Sequence, residues 1–260
     1  MSATDTLTHT VISHWINGKP VAATSGRSGA VTNPATGEII AEVGFAGVED
    51  VDRAVAAAKA AAAEWRSTPL SRRAEVLFNL RNLIAEHRNQ LATFISLENG
   101  KTMADALGEV ARGLENVEFA CGIPNLLKGG YTEQASRGVD VYQIRQPLGI
   151  VAGITPFNFP GMVPLWMLSN AIACGNTFIL KPSEKVPSAS FFIAELAKQA
   201  GVPDGVLNLV NGDKVAVDRL LAHPDIKAIS FVGSTPVARY IYETATRNSK
   251  RVQEIGRAHV

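Results

Sequence analysis

From Leu148 onward, short and almost wholly apolar runs alternate with amphipathic stretches of helical period, and this alternation constrains the fold more than any other feature. Residues 149–154, 177–180, 206–210 and 228–232 read as strands, and residues 161–173, 188–200, 215–222 and 236–246 read as helices. Strands with no polar face need cover on both sides, which suits a parallel sheet between two helical layers. The expected class is therefore α/β: a doubly wound, Rossmann-like unit over residues 148–253, of the type that binds nucleotides beyond the C-terminal ends of its strands.

Residues 1–147 have a different texture. A strand-turn-strand pattern covers 15–21, with Asn17-Gly18 as the turn, and Asn33-Pro34-Ala35-Thr36-Gly37 is a second turn. Helices follow at 48–65, with Val51, Ala54, Val55 and Ala58 on one face, and at 70–87, with Val76, Leu77, Leu80 and Ile84. A third, 89–99, ends at Gly100 as its C-terminal cap, and a fourth, 102–127, is interrupted near Gly122 and Pro124. Residues 139–145 alternate with period two, a strand with one polar face.

Charge and cysteine content narrow the function classes. The net charge is +1 with the basic residues dispersed, so neither nucleic acid nor an anionic membrane is an expected partner. Two cysteines, Cys121 and Cys174, fit a reducing compartment rather than a disulfide framework. Residues 1–17 lack a basic stretch followed by an apolar core, and the most apolar segment, 148–168, is broken by Pro156, Asn158, Pro160 and Pro164. A cytoplasmic protein without a metal site is the expectation.

Three strand ends carry unusual residues. At Thr155-Pro156-Phe157-Asn158-Phe159-Pro160, two prolines stiffen a turn in which an Asn amide could donate to a developing oxyanion; the alternative is a turn Asn bonded to its own backbone. At Lys181-Pro182-Ser183-Glu184-Lys185, a lysine after a buried strand and a carboxylate three residues on could grip ribose hydroxyls, the carboxylate favouring NAD over NADP; the alternative is a solvated charged loop. At Phe231-Val232-Gly233-Ser234-Thr235-Pro236, Gly233 permits close backbone approach, Ser234 or Thr235 can cap, and the following helix N-terminus can face a phosphate; the alternative is a well-capped structural helix. No GxGxxG fingerprint is present.

In this order, on successive strand-to-helix corners, these segments resemble the aldehyde dehydrogenase superfamily. The resemblance runs from Trp15-Ile16-Asn17-Gly18 to Arg251-Val252-Gln253. It implies that Asn158 helps form an oxyanion hole, that Lys181 and Glu184 bind the adenosine ribose with Thr155, Phe157 and Lys185 around the cofactor, and that Gly233 and Ser234 lie by the pyrophosphate. Ala238 departs from the family pattern, where many members have a second glycine.

Asn99-Gly100-Lys101-Thr102, the segment from Arg112-Gly113-Leu114 to Cys121, and Phe157 resemble the CoA-acylating methylmalonate-semialdehyde dehydrogenase branch. That likeness implies oxidation of methylmalonate or malonate semialdehyde with NAD, loss of CO2, acyl transfer to CoA, a homotetramer, and an oligomerisation strand at 139–145. On resemblance, Arg112 is assigned to the substrate carboxylate, against the alternative of a helix-surface ion pair with Glu109 or Glu115. Two other readings are a non-acylating dehydrogenase of another semialdehyde and a non-catalytic NAD-binding fragment. The family's nucleophilic cysteine lies downstream of the third corner, and neither Cys121 nor Cys174 matches it. The chain alone is accordingly expected to be inactive and poorly soluble, with 139–145 as an unpaired edge. Residues 254–260 form a distinct tail, of which 255–260 match the translation of a common sequencing adapter and are expected to be read-through.

Overall fold

The computed structural model describes residues 11–256; the first part of the segment read above as lacking a leader, and the end of the tail, lie outside the described residues. The N-terminal strands are β1 (Val11–Ile12), β2 (His14–Ile16), β3 (Lys19–Val21), β4 (Ser28–Thr32) and β5 (Ile39–Gly44). The β2–β3 hairpin turns at Asn17-Gly18, both at positive φ, as an Asn-Gly two-residue turn requires. Strands β1, β5 and β4 make a small three-stranded sheet that the sequence reading did not contain.

Four helices follow closely the expected periodicity: α1 (Val48–Ser67), α2 (Leu70–Glu86), α3 (Arg88–Asn99) and α4 (Met103–Cys121), with a short α5 (Ile123–Leu126) after the break at Gly122. All eight apolar residues assigned to the inner faces of α1 and α2 are buried. Next comes a hairpin of β6 (Gly130–Ser136) and β7 (Val139–Gln143). β7 pairs with β6 along one side, a partner the sequence reading did not contain, and stays an open edge along the other; every residue of both strands is exposed, so the period-two alternation marks no buried face. Gly129-Gly130, read only as a helix breaker, leads into the missed strand. A Cβ on Gly129 would lie 1.8 Å from the Gln143 carbonyl oxygen, so the hairpin needs glycine there.

The rest alternates as expected through β8 (Ile150–Ile154), α6 (Met162–Ala173), β9 (Thr177–Lys181), α7 (Ser188–Gln199), β10 (Leu207–Leu209), α8 (Lys214–Ala222), β11 (Ile226–Gly233) and α9 (Thr235–Arg247); a further strand, β12 (Arg251–Gly256), was not in the sequence reading and runs into the segment read there as a tail. The main sheet has the order β12-β11-β8-β9-β10-β2-β3. Its first five strands are parallel, while β2 and β3 add antiparallel. Residues before 148 thus extend the sheet of residues 148–253. In β12, Glu254, Ile255 and Gly256 continue the ladder opposite Phe231, Val232 and Gly233.

Two cores flank the sheet, and the strands divide their side chains between them. Ile150, Ala152 and Ile154 of β8, with Ile179 of β9, join the core beneath α1, α8 and α9; Val151, Phe178 and Leu180 join the core beneath α2, α4, α6 and α7. This is the two-residue period of a strand buried on both faces. Ala238, the departure noted above, is buried in the first of these cores with Ile241 and Ala245.

Candidate cofactor and oxyanion site

The chain runs β8-α6-β9-α7-β10 toward one edge, then crosses back to lay β11 and β12 on the other side of β8. The strand order therefore reverses at β8, and the crevice at the C-terminal end of such a reversal is where doubly wound sheets bind ligands. All three corners leave this edge. Ile154 pairs with both Lys181 and Phe231, so Thr155, Lys181 and the Gly233-Ser234 corner follow neighbouring, in-register strand ends.

The first two corners touch directly. The Thr155 amide donates to the Lys181 carbonyl at 3.1 Å, and the Lys185 ammonium lies 5.3 Å from the centre of the Phe157 ring, a cation–π contact. Lys181 is buried at the end of β9, and its Nζ reaches Glu184 Oε2 at 3.1 Å. Glu184 remains partly exposed, so its carboxylate can accept from a ligand while Lys181 donates. The Thr155 hydroxyl, buried beside them, has no hydrogen-bond partner. An orphaned buried hydroxyl is costly, and a polar ligand at this edge would satisfy it.

Helix N-termini at this edge are not alike. The first N–H groups of α6 are accepted by Glu109 Oε1, from Gly161 at 2.8 Å and Met162 at 3.1 Å. Glu98 Oε2 accepts from Ser188 at the start of α7, and Asp213 Oδ1 from Val215 in α8, each at 3.1 Å. At α9, Ser234 occupies the N-cap position but its side chain makes no capping bond, and a proline stands in the first turn. The positive end of α9 is suited to an anion. At Gly233 a Cβ would lie 2.4 Å from Phe231 Cζ, so its lack of a side chain makes room for that ring.

Asn158 is exposed on its turn. The residues that hold the turn were missed. Asn99 Nδ2 donates to the Phe157 carbonyl at 2.8 Å, and Lys101 Nζ donates to the Asn158 carbonyl at 2.6 Å. Lys101 also pairs with Glu109 and lies 4.0 Å from the centre of the Phe159 ring. The sequence held a signal. Glu109 falls on the apolar face of α4 with Ala106, Val110, Gly113 and Val117, where an ionised side chain needs a partner and hydrogen bonds. Gly100, left-handed at φ +79°, ends α3 and turns the chain toward Lys101.

Arg112 is exposed on α4, and its carbonyl accepts from Trp166 Nε1 of α6 at 3.3 Å. The ion pair with Glu109 or Glu115 considered above is not formed, because Glu109 is turned inward to Lys101 and the α6 N-terminus. Burial pushes both thiols up: Cys121 is raised further by Glu118, and at Cys174 Arg73 opposes the shift without reversing it. Neither is an activated thiolate. A groove of about 440 Å³ runs along the sheet face between α6 and strands β11 and β12; none of the predicted site residues lines it.

The sheet reverses its strand order at β8, with a lysine–carboxylate pair at one strand end and an exposed Asn on the neighbouring turn. The chain belongs to the aldehyde dehydrogenase family, which it matches over residues 21–256. It is 54% identical over 245 residues to the malonate-semialdehyde dehydrogenase of Pseudomonas aeruginosa, covering 94% of this chain and 49% of that one. Among solved structures, a putative methylmalonate-semialdehyde dehydrogenase of Sinorhizobium meliloti complexed with NAD superposes with a TM-score of 0.94 at 55% identity, over 95% of this chain and 50% of that one. The methylmalonate-semialdehyde dehydrogenase of Oceanimonas doudoroffii gives a TM-score of 0.94 at 52% identity, over 96% and 51%. The chain thus spans about half the length of the relatives it matches. Among the described residues, no helix is long and apolar enough to cross a membrane.

Proposed function

We propose that this chain is the cofactor-binding part of an NAD-dependent, CoA-acylating dehydrogenase that oxidises methylmalonate or malonate semialdehyde, releasing CO2 and forming propionyl-CoA or acetyl-CoA. The observation that carries the reading is that three corners, after β8, β9 and β11, leave one edge of a sheet whose strand order reverses there. The relatives' names support the substrate class.

NAD, when bound, supplies the hydride acceptor. Lys181 would donate to the adenosine ribose hydroxyls and Glu184 accept from them, with Thr155 giving its unsatisfied hydroxyl to the same region. The half-exposed Glu184 carboxylate would repel a 2′-phosphate, which favours NAD over NADP. Phe157 and Lys185 would form one wall, and Gly233, Ser234 and the first turn of α9 would face the pyrophosphate. The Asn158 amide would donate to the oxyanion formed on acyl transfer. Arg112, with no acidic partner among the described residues, would hold the substrate carboxylate. CoA is the co-substrate, and a cytoplasmic homotetramer the assembly, of this reading.

Isothermal titration of the chain with NAD and with NADP tests the cofactor assignment. Saturable NAD binding that is at least tenfold tighter than NADP binding, and weakened about tenfold or more in Lys181→Ala, is expected. No heat at millimolar NAD, or equal affinity for both, overturns it.

A further inference from the structure

We infer that Asn99, Lys101 and Glu109 are positioning residues for Asn158: together they fix the direction in which its amide leaves the backbone. The functional consequence rests on the reading of Asn158 as an oxyanion donor; the geometry does not.

The direction of a Cα–Cβ bond follows from the two peptide planes that flank the residue. Both planes at Asn158 are held from outside the turn. The preceding plane carries the Phe157 carbonyl, which accepts from Asn99 Nδ2 at 2.8 Å. The following plane carries the Asn158 carbonyl, which accepts from Lys101 Nζ at 2.6 Å. Three residues on, the chain is held from its N–H side, because Glu109 Oε1 accepts from both Gly161 and Met162. The two anchors are one unit, since the Lys101 ammonium and the second Glu109 oxygen form an ion pair. Lys101 completes its surroundings over the face of Phe159, the residue next to Asn158.

Burial stiffens the Glu109 end of this arrangement. The Glu109 side chain is 1% exposed and that of Lys101 18%, so water competes weakly for their ion pair and for the Gly161 and Met162 N–H groups, while the bonds from Asn99 and Lys101 to the two carbonyls lie at the surface. Asn158 itself is exposed and is held only through its backbone. An oxyanion donor acts through preorganisation, and a swing of the amide by a fraction of an ångström forfeits much of its effect. The bracket comes from helices α3 and α4, outside the β8-α6 unit that carries Asn158. Gly100 in its left-handed cap is what lets Asn99 and Lys101 both face the turn. A Cβ on Gly113, where α4 lies against α6, would come 2.7 Å from Leu165 Cδ1, so the two helices are closely packed near the bracket.

Amide hydrogen exchange and the side-chain amide signal of Asn158, both followed by NMR on the full chain, test the inference. Lys101→Met is expected to speed exchange at Gly161 and Met162 at least tenfold and to broaden the Asn158 side-chain signal. Lys101→Arg, which keeps the cation, should restore both to within threefold. Glu109→Gln keeps an acceptor for the two N–H groups but loses the ion pair, and should broaden the Asn158 signal with a smaller change in exchange. Strands β9 and β10 should keep their protection in all three, and NAD affinity should stay within threefold. An unchanged Asn158 signal in Lys101→Met overturns the inference. So does faster exchange spread evenly over β9 and α7, which would mark the pair as a general stabilising element. Failure of the wild-type chain to bind NAD would contradict the cofactor reading while leaving these exchange measurements interpretable.

Discussion

The amide of Thr155 donates to the carbonyl of Lys181 at 3.1 Å, carrying the ladder between β8 and β9 one residue past Ile154, the last paired residue of β8. The corner that carries Asn158 is thereby tied to the corner that carries the lysine–glutamate pair. On the proposed reading, cofactor grip and oxyanion donor share one edge, so changes in either should be separable by which end of a ligand they affect.

Lys181 offers a buried charged donor. Its replacement by alanine should weaken NAD binding by roughly tenfold to a hundredfold, the range of a charge-assisted hydrogen bond of about 1.5–3 kcal/mol. Glu184→Gln should leave NAD binding within a few-fold and narrow the preference over NADP. Titration calorimetry reads both; a Glu184→Gln variant that discriminates as sharply as the wild type would show that the carboxylate does not set the preference.

Asn158 is exposed and holds no structure through its side chain. Asn158→Ala should leave the melting temperature of the chain within about 1 °C, because a surface change away from packing costs little. In an active enzyme containing this chain, the same substitution should lower kcat by about 10²–10³-fold, as loss of one preorganised oxyanion donor does. A fall confined to KM, with kcat intact, would assign Asn158 to binding rather than to chemistry.

Glu98 supplies a pH dependence. Burial raises its carboxyl from 4.5 to about 7, against hydrogen bonds from Ser188 that lower it, and Oε1 is buried without a partner. The folded state therefore prefers the protonated form. The associated stability is fully present below pH 4.5 and is lost as pH rises through about 7. Relative to Glu98→Gln, which keeps an acceptor for Ser188, the wild-type chain should lose up to roughly 3 kcal/mol between acid and neutral pH. Urea unfolding of both proteins at pH 5 and pH 8 measures this difference, and parallel curves would place the Glu98 carboxyl in water.

The β6–β7 hairpin exposes Tyr131, Val141, Tyr142 and, just beyond it, Ile144. An exposed apolar ribbon with open edges is an association surface. Val141→Lys with Tyr142→Lys should shift the chain toward monomer in sedimentation velocity at tens of micromolar. An unchanged distribution would show that self-association uses another face.

The strand and helix order from residue 148 through α9 was legible because β8 and β9 are apolar on both faces and each helix keeps its period, whereas β12, polar and largely exposed, was not. The three corners were legible for the same reason: a polar residue directly after such a strand stands out. Strands β4 and β5 were not, because Ser28, Gly29 and Glu42 dilute any alternation and the large apolar Ile39 is exposed while Val31, Ala41 and Val43 point inward. The bracket around Asn158 was only half legible. Asn99-Gly100-Lys101 was noticeable as a motif, but its contacts reach 57 and 58 residues along the chain, a pairing no local pattern encodes. Gly233 stood out in the sequence, but the space it leaves for the ring of Phe231, two residues before it, did not.

A crystal structure of the chain soaked with NAD tests the central claim most directly. The account predicts the adenosine ribose within hydrogen-bonding distance of Lys181 Nζ and Glu184, and the pyrophosphate at the first turn of α9 beside Ser234. A dinucleotide lodged instead in the groove between α6 and β12, with Lys181 and Glu184 untouched, would contradict it.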